Sequence, residues 1–97
     1  MTLLLPLHQI LLHQSVLNAV RIYRPDFIPV GFKRDRTAFM APLNRMESVL
    51  AAELLPPITV KYSGMNNGVP YYEIIDGRHR FARALITGRA DIPSIVT

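Results

Sequence analysis

Two strand-like runs separated by a turn constrain this chain more than any other feature. Ile58, Val60 and Tyr62 alternate with Thr59 and Lys61, the period of a half-buried strand. The stretch Ser63-Gly64-Met65-Asn66-Asn67-Gly68 supplies turn residues, and its Asn-Gly pair suits a hairpin turn that needs positive φ at both central positions. Residues 69 to 75 are rich in aromatic and β-branched types, and Pro70 near their start fits an edge strand or the first positions of a strand. A hairpin with one apolar face must bury that face, so the flanking residues have to supply a cover.

Helical patterns flank the hairpin. Within residues 42 to 55, Leu43, Met46, Val49, Leu50 and Leu54 fall on one helical face, with Pro42 in the first turn and Pro56-Pro57 as the stop. After the hairpin, Asp76-Gly77 closes the strand. Residues 78 to 87 then read as a helix with Phe81, Ala82, Leu85 and Ile86 inward and Gly88 as its stop. A last short strand is expected over residues 92 to 96. The start of the chain is ambiguous: Leu7, Ile10, Leu11, Leu12, Val16, Leu17 and Val20 fit a helix begun at Pro6, while residues 7 to 12 equally fit a buried strand. Residues 23 to 42, with Pro25, Pro29, Gly31 and Pro42, look like a long, mobile connection. The element order fits an α+β or α/β domain with a small sheet, and the expectation carried forward is α+β, a small mixed β-sheet with packed helices.

Length and composition limit what such a fold can do. Ninety-seven residues, 49% hydrophobic and 19% charged, make one core with a radius of gyration of roughly 12 to 13 Å. The chain is expected to form one domain over 1-97, with 1-41 as N-terminal segment and basic connection and 42-97 as core. Its cysteine count is zero, which removes disulfides, thiolate metal sites, iron–sulfur clusters and cysteine nucleophiles. Residues 1 to 20 hold no Asp, Glu, Lys or Arg. They lack a basic n-region, and Pro6, His8, Gln9, His13 and Gln14 break the apolar run short of the ~20 residues of a membrane span. A cytoplasmic location without a membrane span is the expectation.

The formal charge of +4 is unevenly placed: Arg21, Arg24, Lys33, Arg34 and Arg36 face only Asp26 and Asp35 within residues 21 to 36. A second basic group, Arg78, His79, Arg80 and Arg83, sits at a helix start. Free backbone N–H groups and a positive dipole end make such a start an anion site. Cations there are unfavourable by a few tenths of a kcal/mol each unless an anion compensates. Gly77 would permit close approach, and Asp76 would act as N-cap or balance an arginine. The alternative is structural: Arg78 and Arg83 as plain surface, Arg80 paired with Asp76 or Glu73, and His79 as a packing residue.

The stretch Leu55-Pro56-Pro57-Ile58-Thr59-Val60, the glycine-containing hairpin, Tyr71-Tyr72-Glu73-Ile74-Ile75-Asp76-Gly77-Arg78-His79-Arg80-Phe81-Ala82-Arg83-Ala84, Gly88, and Ile92-Pro93-Ser94-Ile95-Val96 resemble the ParB/sulfiredoxin superfamily. The resemblance covers about the C-terminal half. It implies the ParB/sulfiredoxin-like fold, with Gly77, His79 and Arg80 matching a Gly-x-His-Arg signature that cradles nucleotide phosphates. Sulfiredoxins carry their nucleophilic cysteine where this chain has Arg78, so the resemblance excludes sulfinic acid reduction by that mechanism. An arginine there moves the site toward ParB-like proteins, whose Gly-Glu-Arg-Arg box binds CTP. The chain has no Glu-Asn-x-x-Arg stretch and no helix-turn-helix continuation, so ParB-type operator binding is not expected.

These observations lead to a nucleotide- or phosphate-binding protein with Gly77, Arg78, His79 and Arg80 as the site. Lys33, Arg34, Arg36 and Arg83 are additional basic contacts, and ATP or CTP with Mg²⁺ is the implied ligand. NTP hydrolysis or nuclease activity would draw on Glu73 or Asp76, the only acids close in sequence. Removal of the Arg80 guanidinium is expected to abolish such turnover without unfolding the domain. The alternative is a catalytically inert interaction protein, a viral, plasmid or host regulatory factor, that binds a protein or nucleic-acid partner through its basic face. Nucleic acid would be held through phosphates, without sequence preference. His8, His13 and His79 lack metal-ligand spacing, and Ser15, Thr37 and Ser63 lack a partnered base. The oligomeric state is open.

Overall fold

A computed structural model describes residues 1–29, 33–34, 43–53 and 55–97, with Lys33 and Arg34 described by their backbone. Arg36, Pro42 and Leu54 lie outside the described residues. The hairpin forms at the expected place, from β4 (Ile58–Asn66) and β5 (Val69–Asp76). Asn67 at φ 52 and Gly68 at φ 79 make the left-handed pair that matches the twist of the two strands. Most of the expected turn residues belong to β4 instead. A register shift between Tyr62 and Gly64 absorbs one extra residue, and the bare Cα of Gly64 sits under the Tyr71 ring, where an added Cβ would lie 2.6 Å from Oη.

Four strands form a mixed sheet with order β1-β6-β4-β5, where β1 is Thr2–Pro6 and β6 is Asp91–Val96. β1 and β6 are antiparallel, β6 and β4 parallel, and β4 and β5 antiparallel. One face of this sheet carries Leu5, Ile58, Val60, Ile74, Ile92 and Ser94 into the core. The opposite face presents Leu4, Lys61, Ile75 and Ile95 to solvent. The radius of gyration is 12.6 Å.

The N-terminal segment corrects both sequence alternatives. It is neither a helix begun at Pro6 nor a buried strand over 7 to 12, but β1, a short 3-10 turn over Leu7–Gln9, β2 (Leu12–His13) and then α1 (Gln14–Tyr23). The stripe of Val16, Leu17 and Val20 is buried as its spacing predicts. Its helix starts later because residues 10 to 13 run extended beside β5: Ile10 bridges Tyr72, and the Leu11 N–H donates to the Tyr72 carbonyl at 2.8 Å. β2 also pairs in parallel with β3 (Lys33–Arg34).

The middle helix is shorter than its apolar face suggests. α2 spans Met46–Ala51 because Arg45 is left-handed at φ 57 and Ala52 is already extended, so Pro56-Pro57 does not end it. α3 (Arg78–Ile86) matches expectation closely and packs on both α1 and α2. Gly88 at φ 74 closes it, with the Arg89 N–H donating to Ala84 O at 2.9 Å and the Gly88 N–H to Leu85 O. These two bonds satisfy carbonyls at the helix end in a Schellman arrangement.

Candidate functional site at the start of the third helix

α3 leaves the sheet at Gly77, whose φ of 113 is open to glycine and strained for any other residue. A Cβ at this position would lie 2.5 Å from Ile58 Cγ2 and 3.1 Å from Arg80 Nη2. The close approach that the glycine permits is therefore between β5, β4 and the helix itself. No side chain caps the helix and no acid lies in its first turn. The first intrahelical bond is the Phe81 N–H to Gly77 O at 2.9 Å, so the N–H groups of Arg78, His79 and Arg80 have no intrahelical acceptor.

The four residues singled out in the sequence do different things. Arg80 is mostly enclosed, its side chain 17% exposed. Its Nη1 donates to Pro57 O at 2.7 Å and Pro56 O at 3.0 Å, and its Nη2 to Asp76 Oδ2 at 3.2 Å. Asp76 thus balances Arg80 and does not cap the helix. Arg78 is half-buried, and its Nη1 is sealed from solvent without an acceptor. His79 is half-buried. Phe81 and Ala82 behind them are fully in the core.

Arg80 also lines a cleft of about 500 Å³ together with Arg83, Arg89, Glu53, Pro56 and Pro93. Residues 80, 83 and 84 of α3 and its C-cap Thr87 line one side, and the left-handed turn at Gly88 folds Arg89 back onto it. Gly77, Arg78 and His79 do not line this cleft. The expected site therefore divides into a helix start and an adjacent arginine-rich cleft joined by Arg80. Arg89 and Glu53 were missed in the sequence. The glycine stop before Arg89 was the available signal, whereas nothing local marked Glu53.

The other basic group is partly engaged in the fold. Arg24 Nη1 donates to Leu85 O at 2.7 Å and its guanidinium lies 5.2 Å from the Phe27 ring centroid, while Arg21 Nε reaches Phe27 O. Glu73 stands apart from the cleft, with Oε1 3.9 Å from Nε2 of His13, a histidine whose side chain is 5% exposed. Among the described residues no group of three His, Asp or Glu side chains is placed to hold a metal ion. Among the same residues no helix is long and apolar enough to cross a membrane.

No family profile matches the chain, and no curated protein does. Solved structures do match, among them the crystal structure of sulfiredoxin from Arabidopsis thaliana, which is 19% identical to this chain. The alignment covers 100% of this chain and 84% of that one, with a TM-score of 0.48. The α+β architecture with a mixed four-stranded sheet agrees with the fold expected from the sequence, and there is no cysteine to act as a redox nucleophile.

Proposed function

We propose that the start of α3 binds a phosphate-bearing ligand, a nucleotide such as ATP or CTP with Mg²⁺, whose charged end meets the N–H groups of residues 78 to 80. One observation carries this reading. A nine-residue helix begins with no side-chain cap and no acid, yet with arginine at its first and third positions, and the N–H groups of residues 78 to 80 have no intrahelical acceptor. An anion there would satisfy donors that the described protein groups leave unmatched and would complement the dipole. Arg83 and Arg89 in the adjoining cleft supply further positive charge, and Arg80 acts as a positioning residue that holds the helix start against the 56–57 segment. Hydrolysis of such a ligand would require a metal to neutralise the phosphates and an acid to orient water. Asp76 and Glu53 are the carboxylates beside Arg80.

A second reading, an inert interaction protein, is favoured by a different observation: packing alone accounts for Gly77 and Arg80, two of the three signature residues. A thermal-shift panel of ATP, CTP and inorganic triphosphate, with and without Mg²⁺, separates the two. A ligand at one hundred times its Kd adds about 2.7 kcal/mol, which raises Tm by roughly 10 to 20 °C in a domain of this size. His79→Ala and Arg83→Ala should reduce that rise while leaving the ligand-free Tm nearly unchanged. An absence of shift with every nucleotide and with triphosphate overturns the phosphate reading.

A further inference from the structure

The two edges of the sheet are treated differently. On the β5 side, residues 10 to 13 cover part of the edge through the Ile10–Tyr72 bridge and the Leu11 N–H, and Pro70 interrupts the donors of the remainder. On the β1 side, no described residue pairs with the outer edge. Natural sheets protect such an edge with charges, prolines or bulges. β1 reads Thr2-Leu3-Leu4-Leu5-Pro6, with a proline only at its end and no charged side chain before Arg21. Leu3 is 42% and Leu4 63% exposed.

The register of β1 on β6 establishes which backbone groups are free. The Leu7 N–H donates to Ala90 O at 3.0 Å, so bonded pairs fall at Leu5–Ile92 and Leu3–Ser94, and Thr2–Ile95, Leu4–Pro93 and Pro6–Asp91 are the non-bonded pairs. Pro6 and Pro93, which lack an N–H, both occupy non-bonded positions. The N–H and C=O groups of Thr2 and Leu4 therefore point outward, away from β6.

We propose that this edge is a self-association surface on which a second copy of the chain adds its own β1 in antiparallel orientation. With a two-fold axis at Leu3, Thr2 of each copy faces Leu4 of the other. All four outward N–H groups then meet the four outward carbonyls of the same residues, and Leu3 opposes Leu3 across the axis as a close non-bonded pair. An axis at Leu4 would set Thr2 against Pro6, which has no N–H to return. The occupant is a second copy because the edge is self-complementary in hydrogen bonding. Its side chains carry no charge, and the antiparallel orientation puts the two Met1 ammonium groups at opposite ends of the contact, so two molecules of net charge +4 meet without like charges facing each other.

The absence of native cysteine makes the test clean. In sedimentation equilibrium without ligand, the mass should rise with concentration from 11.0 kDa toward twice that value, and added salt should not weaken the association. Leu4→Lys changes an exposed side chain, so it should keep the monomer Tm and stay at 11.0 kDa. Leu3→Cys should form an intermolecular disulfide under mild oxidation, because Cα atoms of a non-bonded antiparallel pair lie about 4.5 Å apart, within disulfide reach. Ser63→Cys on the hairpin should not. A wild-type chain that remains monomeric at all concentrations, equal association of Leu4→Lys, or cross-linking at Ser63→Cys but not at Leu3→Cys overturns the proposal.

Discussion

Arg80→Ala is the substitution that most directly separates fold from ligand. The guanidinium joins α3 to the segment that feeds β4, through Pro57 O at 2.7 Å and Pro56 O at 3.0 Å, and to the end of β5 through Asp76 Oδ2 at 3.2 Å. A hydrogen bond from a charged donor contributes about 1.5 to 3 kcal/mol. Pro56 is exposed and can bond water instead, so most of the loss comes from the half-buried Pro57 carbonyl. The Asp76 side chain is 77% exposed, which holds that ion pair to ~0 to 1 kcal/mol. With the lost packing of the guanidinium beside Gly77, the total is about 3 kcal/mol, or a fall in Tm of roughly 12 to 24 °C. Arg80→Lys should lose about half as much, because one ammonium cannot serve the three acceptors in the same plane. Urea unfolding followed by circular dichroism measures both variants, with the slope m expected to stay at the wild-type value. A loss below ~1 kcal/mol for Arg80→Ala would refute the reasoning, since the guanidinium would then be free of the fold and available to a ligand.

Two glycines with positive φ offer a paired comparison. Gly77→Ala places a methyl 2.5 Å from Ile58 Cγ2 at φ 113 and should cost about 3 to 5 kcal/mol from strain and overpacking together. Gly68→Ala meets nothing within 4 Å at φ 79 and should cost only about 1 kcal/mol; equal losses in denaturant unfolding would show that backbone angle alone governs both. Phe81→Ala empties the largest fully buried side-chain site and should cost about 3 to 5 kcal/mol by the same measurement. A near-neutral result would mean that α3 is not seated on the sheet as described.

The hairpin and α3 were legible because their signals are local. An Asn-Gly pair demands a left-handed turn, a glycine before and after a helix marks its limits, and alternating side chains specify which face is buried. Residues 1 to 13 were not, since a run without charges has no contrast between faces from which a period can be read. Thr2–Pro6 becomes a strand only because β6 offers it an edge, and residues 10 to 13 become extended because β5 does. α2 stops early for a similar reason. Its apolar face is real, but the left-handed Arg45 and the extended Ala52 confine the helix to six residues.

At the site, the amino-acid order by itself determined that a glycine, a histidine and several arginines stand where a strand turns into a helix. Such a start exposes backbone donors whatever surrounds it. Which of these side chains remain available to a ligand was decided only by the tertiary structure. Arg80 turned inward because Pro56 and Pro57 present carbonyls from 24 and 23 residues away, and Gly77 is required because Ile58 of the neighbouring strand leaves no room for a Cβ. Arg89 joined the cleft because the chain reverses at Gly88. A charged side chain goes to whichever acceptor the fold brings within reach, and contacts between distant parts of the chain are not written in the spacing of its neighbours.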